Sequence, residues 1–253
     1  MTMINRLMHQ GAFLPVLTVV ASLIVIWYAG AVYLNSTQLI DRYQKKGVDW
    51  DISRLAQDAW KMERPVLPAP HQVGVELKKT VLDKRVTSKR SLVYHAGITL
   101  SSSLLGFALG TLLGIVLAIG IVYVTTLDRS LMPWIIASQT VPILALAPMI
   151  IVVLGSIGIT GLFPKSVISM YLCFFPVVVG MVKGLRSPEP ILIDQMRTYS
   201  AGPTQVFFKL RLPASIPFLF ASLKVAIALS VVGAIVAELP TGGQGGLLSL
   251  IHI

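Results

Sequence analysis

Residues 194 to 213 read DQMRTYSAGPTQVFFKLRLP and lie between two membrane-length apolar runs. The stretch carries Asp194, Arg197, Lys209 and Arg211, breaks at Ala201-Gly202-Pro203 and closes on Pro213. Just upstream, Ser187 before Pro188 offers an N-cap and a first-turn proline. Leu192, Met196 and Tyr199 follow at i, i+4 and i+7 and make one apolar helical face. Pro203 can open a second helix, on which Val206, Phe207 and Leu210 share a face away from Lys209 and Arg211, and Pro213 ends it. The expectation is two short helices and a bend outside the bilayer. An apolar helix face left in water calls for a partner groove.

The rest of the chain is far less polar. Of 253 residues 55% are hydrophobic and only 13% charged, about half the charged share of a soluble domain; the mean hydropathy is +0.77. Residues 12–34, 91–127, 130–164 and 166–182 hold no Asp, Glu, Lys or Arg, and 212–237 hold only Lys224. A spanning helix needs about 20 mostly apolar residues, so five spans are expected. They fall at roughly 12–34, 96–124, 132–155, 167–183 and 216–237, an all-α integral membrane protein with no expected nucleic-acid partner. The net charge of +10 fits basic loops beside membrane helices.

The first run is too long for the apolar core of a signal peptide and reads as an uncleaved helix, with Trp27, Tyr28 and Tyr33 placed like an interfacial belt. The chain divides into residues 1–34, a polar connecting segment 35–95 and a core 96–253. Residues 35–90 carry 12 Lys/Arg against 7 Asp/Glu, and the proline-punctuated 63–77 should be extended. From about 71 to 95 a helix could lie on the membrane surface.

In the second span Ser102, Gly106, Gly110, Gly114 and Ala118 recur every fourth residue, a ridge of small side chains for close helix packing. The third span contains Pro133, Pro142 and Pro148 with Gln139 and Thr140 beside one break. Such breaks mark transport paths, or the polar pair bonds a neighbouring helix. Lys224 is the one charge deep in a span, a functional-site candidate or a side chain that snorkels.

Catalytic chemistry is absent. The single Cys173 excludes a disulfide framework, the four histidines fall in unrelated segments, and the spans hold no carboxylate pair or proton relay. GITGLFPKS (158–166) fails as a phosphate-binding loop, since Pro164 and Ile159 stand where glycines are needed. No catalytic residue, metal or cofactor is expected.

The opening stretch resembles the cytoplasmic coupling loop of ABC importer permeases, whose EAA signature runs Glu-Ala-Ala, three residues, Gly, nine residues, Ile-x-Leu-Pro. Asp194-Gln195-Met196, Ser200 and Leu210-Arg211-Leu212-Pro213 keep that spacing with different letters. Ser200 lacks glycine's freedom in the left-handed region, which Gly202 two residues on could supply. LPAPHQVGVEL (67–77), HAGITLSSSLLGFALGTLLGIVLAI (95–119), SQTVPILALAPMIIVVLG (138–155) and LKVAIALSVVGAIVAEL (223–239) are similar to the nitrate, sulfonate, taurine and thiamine-precursor branch, over residues 64–246.

The resemblance implies a multi-pass permease of the bacterial inner membrane, importing a small organic solute or anion. It would be one half of a paired, homodimeric unit in the lipid, working with a periplasmic or lipoprotein solute-binding protein. A separate cytoplasmic subunit would hydrolyse ATP and dock on residues 190–213 of a coupling loop at about 184–213. The coupling residues implied are Asp194, Met196, Tyr199, Ser200, Gly202, Phe207, Leu210, Leu212 and Pro213. Counting spans from that cytoplasmic loop puts the N-terminus inside and residues 35–90 outside. Chains of this branch carry one more helix after the segment resembling AELPTG (237–242), so a permease fold lacking its last helix is expected, and a non-transporting membrane scaffold is the second reading.

Overall fold

A computed structural model describes residues 13–85, 87–88, 90–241 and 245–248, and the described elements are helical. Two of the four histidines, His9 and His252, lie outside the described residues. The chain forms two compact units that divide after Lys84.

The first unit is built on α1 (Phe13–Lys46). Its apolar residues from Leu14 to Ile26 are exposed on every side, as a helix in lipid requires. The helix runs 12 residues past the expected end at 34, because Leu39 and Tyr43 find apolar partners: α2 (Ile52–Lys61) lays Leu55 and Ala59 against them. Tyr43 donates to Asp58 across that contact.

The proline segment is extended only to Ala69. Pro70 then starts α3 (Pro70–Lys78) at its first position, where a missing N–H costs nothing, and the Ala69 N–H is taken by Gln72 Oε1 at 2.9 Å. After a π turn at Lys79–Asp83 the helix stops, short of the expected 95. Asn35, fully buried on α1, staples this segment down: its Oδ1 accepts from Val66 N at 2.7 Å and Leu67 N at 3.2 Å, and its Nδ2 donates to Leu67 O at 3.0 Å. Trp27 donates to Pro68 O at 3.0 Å and Tyr28 bonds His71. Two of the three expected belt aromatics therefore hold protein instead of lipid, and only Tyr33 stays largely exposed.

The second unit is a helical bundle around α4 (Leu92–Tyr123), α7 (Leu162–Leu185) and α10 (Leu212–Thr241). The small ridge decides the pairing. Gly106 lies over Ser169, Gly110 over Cys173 and Gly114 over Val177. Both series climb by four, so α4 and α7 run parallel. A Cβ on Gly114 would stand 2.8 Å from Val177 Cβ, so only glycine admits this approach. On its other side α7 meets α10 with Gly180 at Ser222 and Gly184 at Ser215, the numbers falling as those of α7 rise, hence antiparallel. Ser169 donates to Ser230 O, and Ser230 to Ser103 O at 2.9 Å, satisfying polar groups inside the bundle.

The expected third span is two helices, α5 (Thr125–Ser138) and α6 (Ile143–Ser156), meeting at 103°. Pro142 cannot continue a helix and forces its predecessor to be extended. Each 14-residue piece is about 21 Å long, short of the ~30 Å hydrocarbon layer. Chain direction shows what the pair does. α5 begins where Asp128 meets Arg186 beyond the C-terminus of α7, while α6 packs Ala147 on Ile168 and Ala237 toward the opposite end. Since α4 and α7 are parallel, the segment between them must cross: α5 and α6 are one broken span. With α1 that makes five among the described residues.

The expected ends of the last span also move. The helix is apolar enough to cross from Pro203 through Thr241, and Pro213 does not end it. The short α9 (Pro203–Val206) passes through a π turn, Phe207–Arg211, into α10. There Leu212 N bonds Phe207 O five residues back, a wider register that opens the ladder where Pro213 has no N–H to give.

Candidate functional site

At one end of the bundle the chain between α7 and α10 forms a small ledge. It contains α8 (Pro190–Thr198), which starts with Pro190 at its first position. The turn after α8 closes as a Schellman motif: Ala201 N bonds Met196 O at 3.0 Å and Ser200 N bonds Arg197 O at 2.9 Å. Ser200 sits at φ 52, the left-handed conformation, whereas Gly202 is extended at φ −69 and caps α9. The assignment of the left-handed turn to Gly202 is therefore corrected to Ser200, which occupies it at a cost of about 1–2 kcal/mol relative to glycine. The helix end fixes that position, because the residue that closes a Schellman turn must be left-handed whatever its side chain.

Asp194 pairs with Arg197 at 2.9 Å on the exposed surface, worth about 0–1 kcal/mol. Leu192 and Tyr199 are exposed, and Met196 is half-buried with its carbonyl in the turn. In the second half Val206, Phe207, Leu210 and Leu212 are half-buried. Phe207 packs on the bundle core and meets the Tyr123 ring edge-on at 5.8 Å, with Arg211 over the other part of the same ring at 5.6 Å. Arg186 to Asp128, at 2.8 Å, ties the entry to the ledge as well. What projects outward is Ile191, Tyr199 and Phe208, exposed by 70, 74 and 59%. Ile191 and Phe208 escaped the sequence reading, the latter because a π turn inserts an extra residue that a 3.6-residue period cannot foresee.

The residues expected along a path lie elsewhere. Gln139, Thr140 and Pro142 form the exposed elbow of the broken span; Thr140 Oγ1 donates to Ala137 O at 2.8 Å and Gln139 Nε2 to Ser138 Oγ at 3.3 Å. Tyr171 on α7 donates to Ser138 O and anchors the elbow. Lys224 is exposed on α10, on the side opposite Ser222, Ala226 and Ser230, and makes no hydrogen bond or ion pair among the described residues.

The far end of the bundle, about 36 Å away along the 24 residues of α7, holds a buried polar cluster the sequence did not announce. Glu238 on α10 is 1% exposed and accepts from Thr99 on α4 at 2.5 Å and from Leu248 N at 2.8 Å. His95 Nδ1 accepts from Gly246 N at 3.0 Å, and Thr99 Oγ1 from Leu247 N at 3.0 Å. Fully buried Lys165 donates to Gly245 O. Gly246, at φ 126, lies so close to the Glu238 carboxyl that no Cβ would fit. The result binds residues 245–248 across α4, α7 and α10. Nothing in the spacing of Lys165, at the end of the failed phosphate-loop pattern, connects it to Glu238, 73 positions on. Among the described residues there is no group of His, Cys, Asp and Glu able to hold a metal.

A bundle of membrane-length helices with one span broken into two 14-residue halves, and a helical ledge presenting apolar side chains beyond one end, has the build of a transport permease. The family described as binding-protein-dependent transport system inner membrane component matches residues 110–252, more than half of the chain, and the chain belongs to that family. A probable ABC transporter permease protein of Haemophilus influenzae is 28% identical over 76% of this chain and 77% of its own. The formylaminopyrimidine transport permease protein of Halalkalibacterium halodurans is 30% identical over 78% and 73%. The riboflavin transport system permease protein of Chloroflexus aurantiacus is 30% identical over 74% and 66%. This protein is thus a multi-pass inner-membrane permease subunit of an importer for small solutes, and the permease reading stands over the scaffold reading.

Proposed function

We propose that the chain forms one half of a paired permease, a homodimer, whose ledge at residues 190–213 docks a separate cytoplasmic ATP-binding subunit. ATP is bound and hydrolysed there, and this chain holds no cofactor of its own. A periplasmic or lipoprotein solute-binding protein delivers the cargo, a small organic solute or anion, in keeping with relatives named for formylaminopyrimidine and riboflavin transport.

One observation carries the proposal. The ledge is fastened to the bundle by Phe207 and Arg211 on Tyr123 and by Arg186 on Asp128, yet turns Ile191, Tyr199 and Phe208 outward. A surface built to be gripped and to pull on α7 and α10 needs both halves of that arrangement. Asp194, Met196, Ser200 and Gly202 shape the turn; Tyr199 and Leu210 contribute apolar contact; Phe207, Leu212 and Pro213 pass the motion into α10. Lys224 and the elbow at Gln139, Thr140 and Pro142 line the path where two subunits meet, which gives the unpartnered mid-span lysine a wet or paired environment. Closure of the ATPase pair rocks the bundles and alternates access to that path.

The test is co-purification in detergent with the ATPase encoded beside this chain. A Tyr199→Asp, Phe208→Asp double variant should lose the ATPase while inserting and eluting normally. Retention of the ATPase by that variant would remove the ledge from the account.

A further inference from the structure

The first unit contains a cavity of about 490 Å³ between the end of α1, α2 and the chain that follows it. Arg42, Lys46, Arg54, Lys61 and Arg64 stand around it, against Asp58 and Glu63. One of those two acids, Asp58, already accepts from Tyr43. Arg42, Lys46, Lys61 and Arg64 make no hydrogen bond or ion pair with any described residue, and Arg54 makes only a long bond of 3.4 Å to Asp49 O. Five cations around one cavity with only two carboxylates among them leave three positive charges unbalanced, whereas neighbours on a surface normally interleave the two signs. The floor is apolar: Leu39, Tyr43, Val48 and Met62.

We infer that this cavity binds a soluble organic anion with two or three negative charges. The charge follows from the surplus of three cations over acids around the cavity. The organic body follows from the volume, which lies in the range of small-molecule pockets, and from the apolar floor, since an inorganic ion would leave both unused. A lipid headgroup is the other source of such charge, and position argues against it. Arg42 is nine residues beyond Tyr33, the last of the three belt aromatics of α1, or about 13 Å along the helix. The headgroup layer is only about 5–7 Å deep on each side. The site therefore stands clear of the membrane surface.

The probe is pyranine, an aromatic dye with three sulfonates, followed by fluorescence anisotropy on the full chain in phosphatidylcholine nanodiscs, with inorganic pyrophosphate as competitor. Saturable binding is expected, weakened at least tenfold in Arg42→Gln, Arg64→Gln, and unchanged in Lys78→Gln, Lys79→Gln, which removes the same charge away from the cavity. Val48→Trp keeps every cation but fills the floor, and should also abolish binding of the dye. Equal loss in both charge variants would reduce the effect to the unit's general positive field and overturn the site. So would full binding in Val48→Trp. Phosphatidylglycerol nanodiscs give the remaining arm: if that lipid displaces the dye, the site belongs to lipid and the proposal of a soluble ligand fails. None of these outcomes bears on docking at the ledge, which is read by ATPase retention.

Discussion

Gly114→Ala places one methyl at the closest approach of α4 and α7, where the new Cβ would meet Val177 Cβ and Cγ1 at 2.8 Å and Phe174 O at 3.1 Å. The first two distances are ones a real Cβ does not tolerate, and the third is to backbone, so the helices must separate. Overpacking of this kind costs about 1–3 kcal/mol. Against it, alanine gains about 0.8–1 kcal/mol of helix propensity over glycine. The balance is a loss of up to about 2 kcal/mol. Gly97→Ala on the same helix gains the same propensity and meets nothing within 4 Å, so it should stabilise. The two substitutions are chemically identical and differ only in what faces them, so opposite signs are expected. Thermal unfolding of the purified chain in one detergent reads the difference, at roughly 2–4 °C per kcal/mol for a chain of this size. If Gly114→Ala melts at or above the unsubstituted protein, the parallel pairing of α4 with α7 through this ridge is wrong.

Other substitutions address the two ends of the bundle. Ser200→Gly should relieve the left-handed turn by about 1 kcal/mol, while Ser200→Val should loosen it, because a β-branched residue is an outlier at positive φ; hydrogen exchange of the Met196–Ala201 turn distinguishes them. Glu238→Ala leaves the Thr99 hydroxyl and Leu248 N–H without their acceptor, so a loss of about 1–3 kcal/mol is expected in thermal unfolding. Asp194→Asn breaks only an exposed pair and should change stability by less than about 1 kcal/mol. Phe207→Ala should lower the unfolding midpoint, whereas Phe208→Ala should leave it unchanged and weaken ATPase retention instead.

Much of the architecture is visible in the letters because lipid imposes one rule, long apolar helices, and charge marks where they stop. The ridge from Ser102 to Ala118 could be read for the same reason: a period of four small residues has few uses besides close packing, though which helix it meets depends on α7, over 50 positions away. The break expected beside Pro142 is there, and the misreadings fall at other prolines: Pro70 starts a helix and Pro213 lies inside one. The ledge and its outward Tyr199 are legible in the spacing, but Phe208 is not, since the π turn at Phe207–Arg211 shifts the register. The Lys165–Glu238 cluster left no signal, because its members meet only after three helices and residues 245–248 come together.

Docking of the ATPase on the ledge is the claim on which the functional account stands, and a single-residue crosslink tests it most directly. The only native thiol, Cys173, is buried, so Tyr199→Cys and Phe208→Cys each give one accessible handle, and Trp134→Cys, on an exposed position of α5, gives a control within the spans. With a short thiol-to-amine crosslinker on the assembled complex, the account predicts adducts to the ATP-binding subunit from positions 199 and 208 and none from 134. An intact complex that crosslinks from neither 199 nor 208 would contradict it.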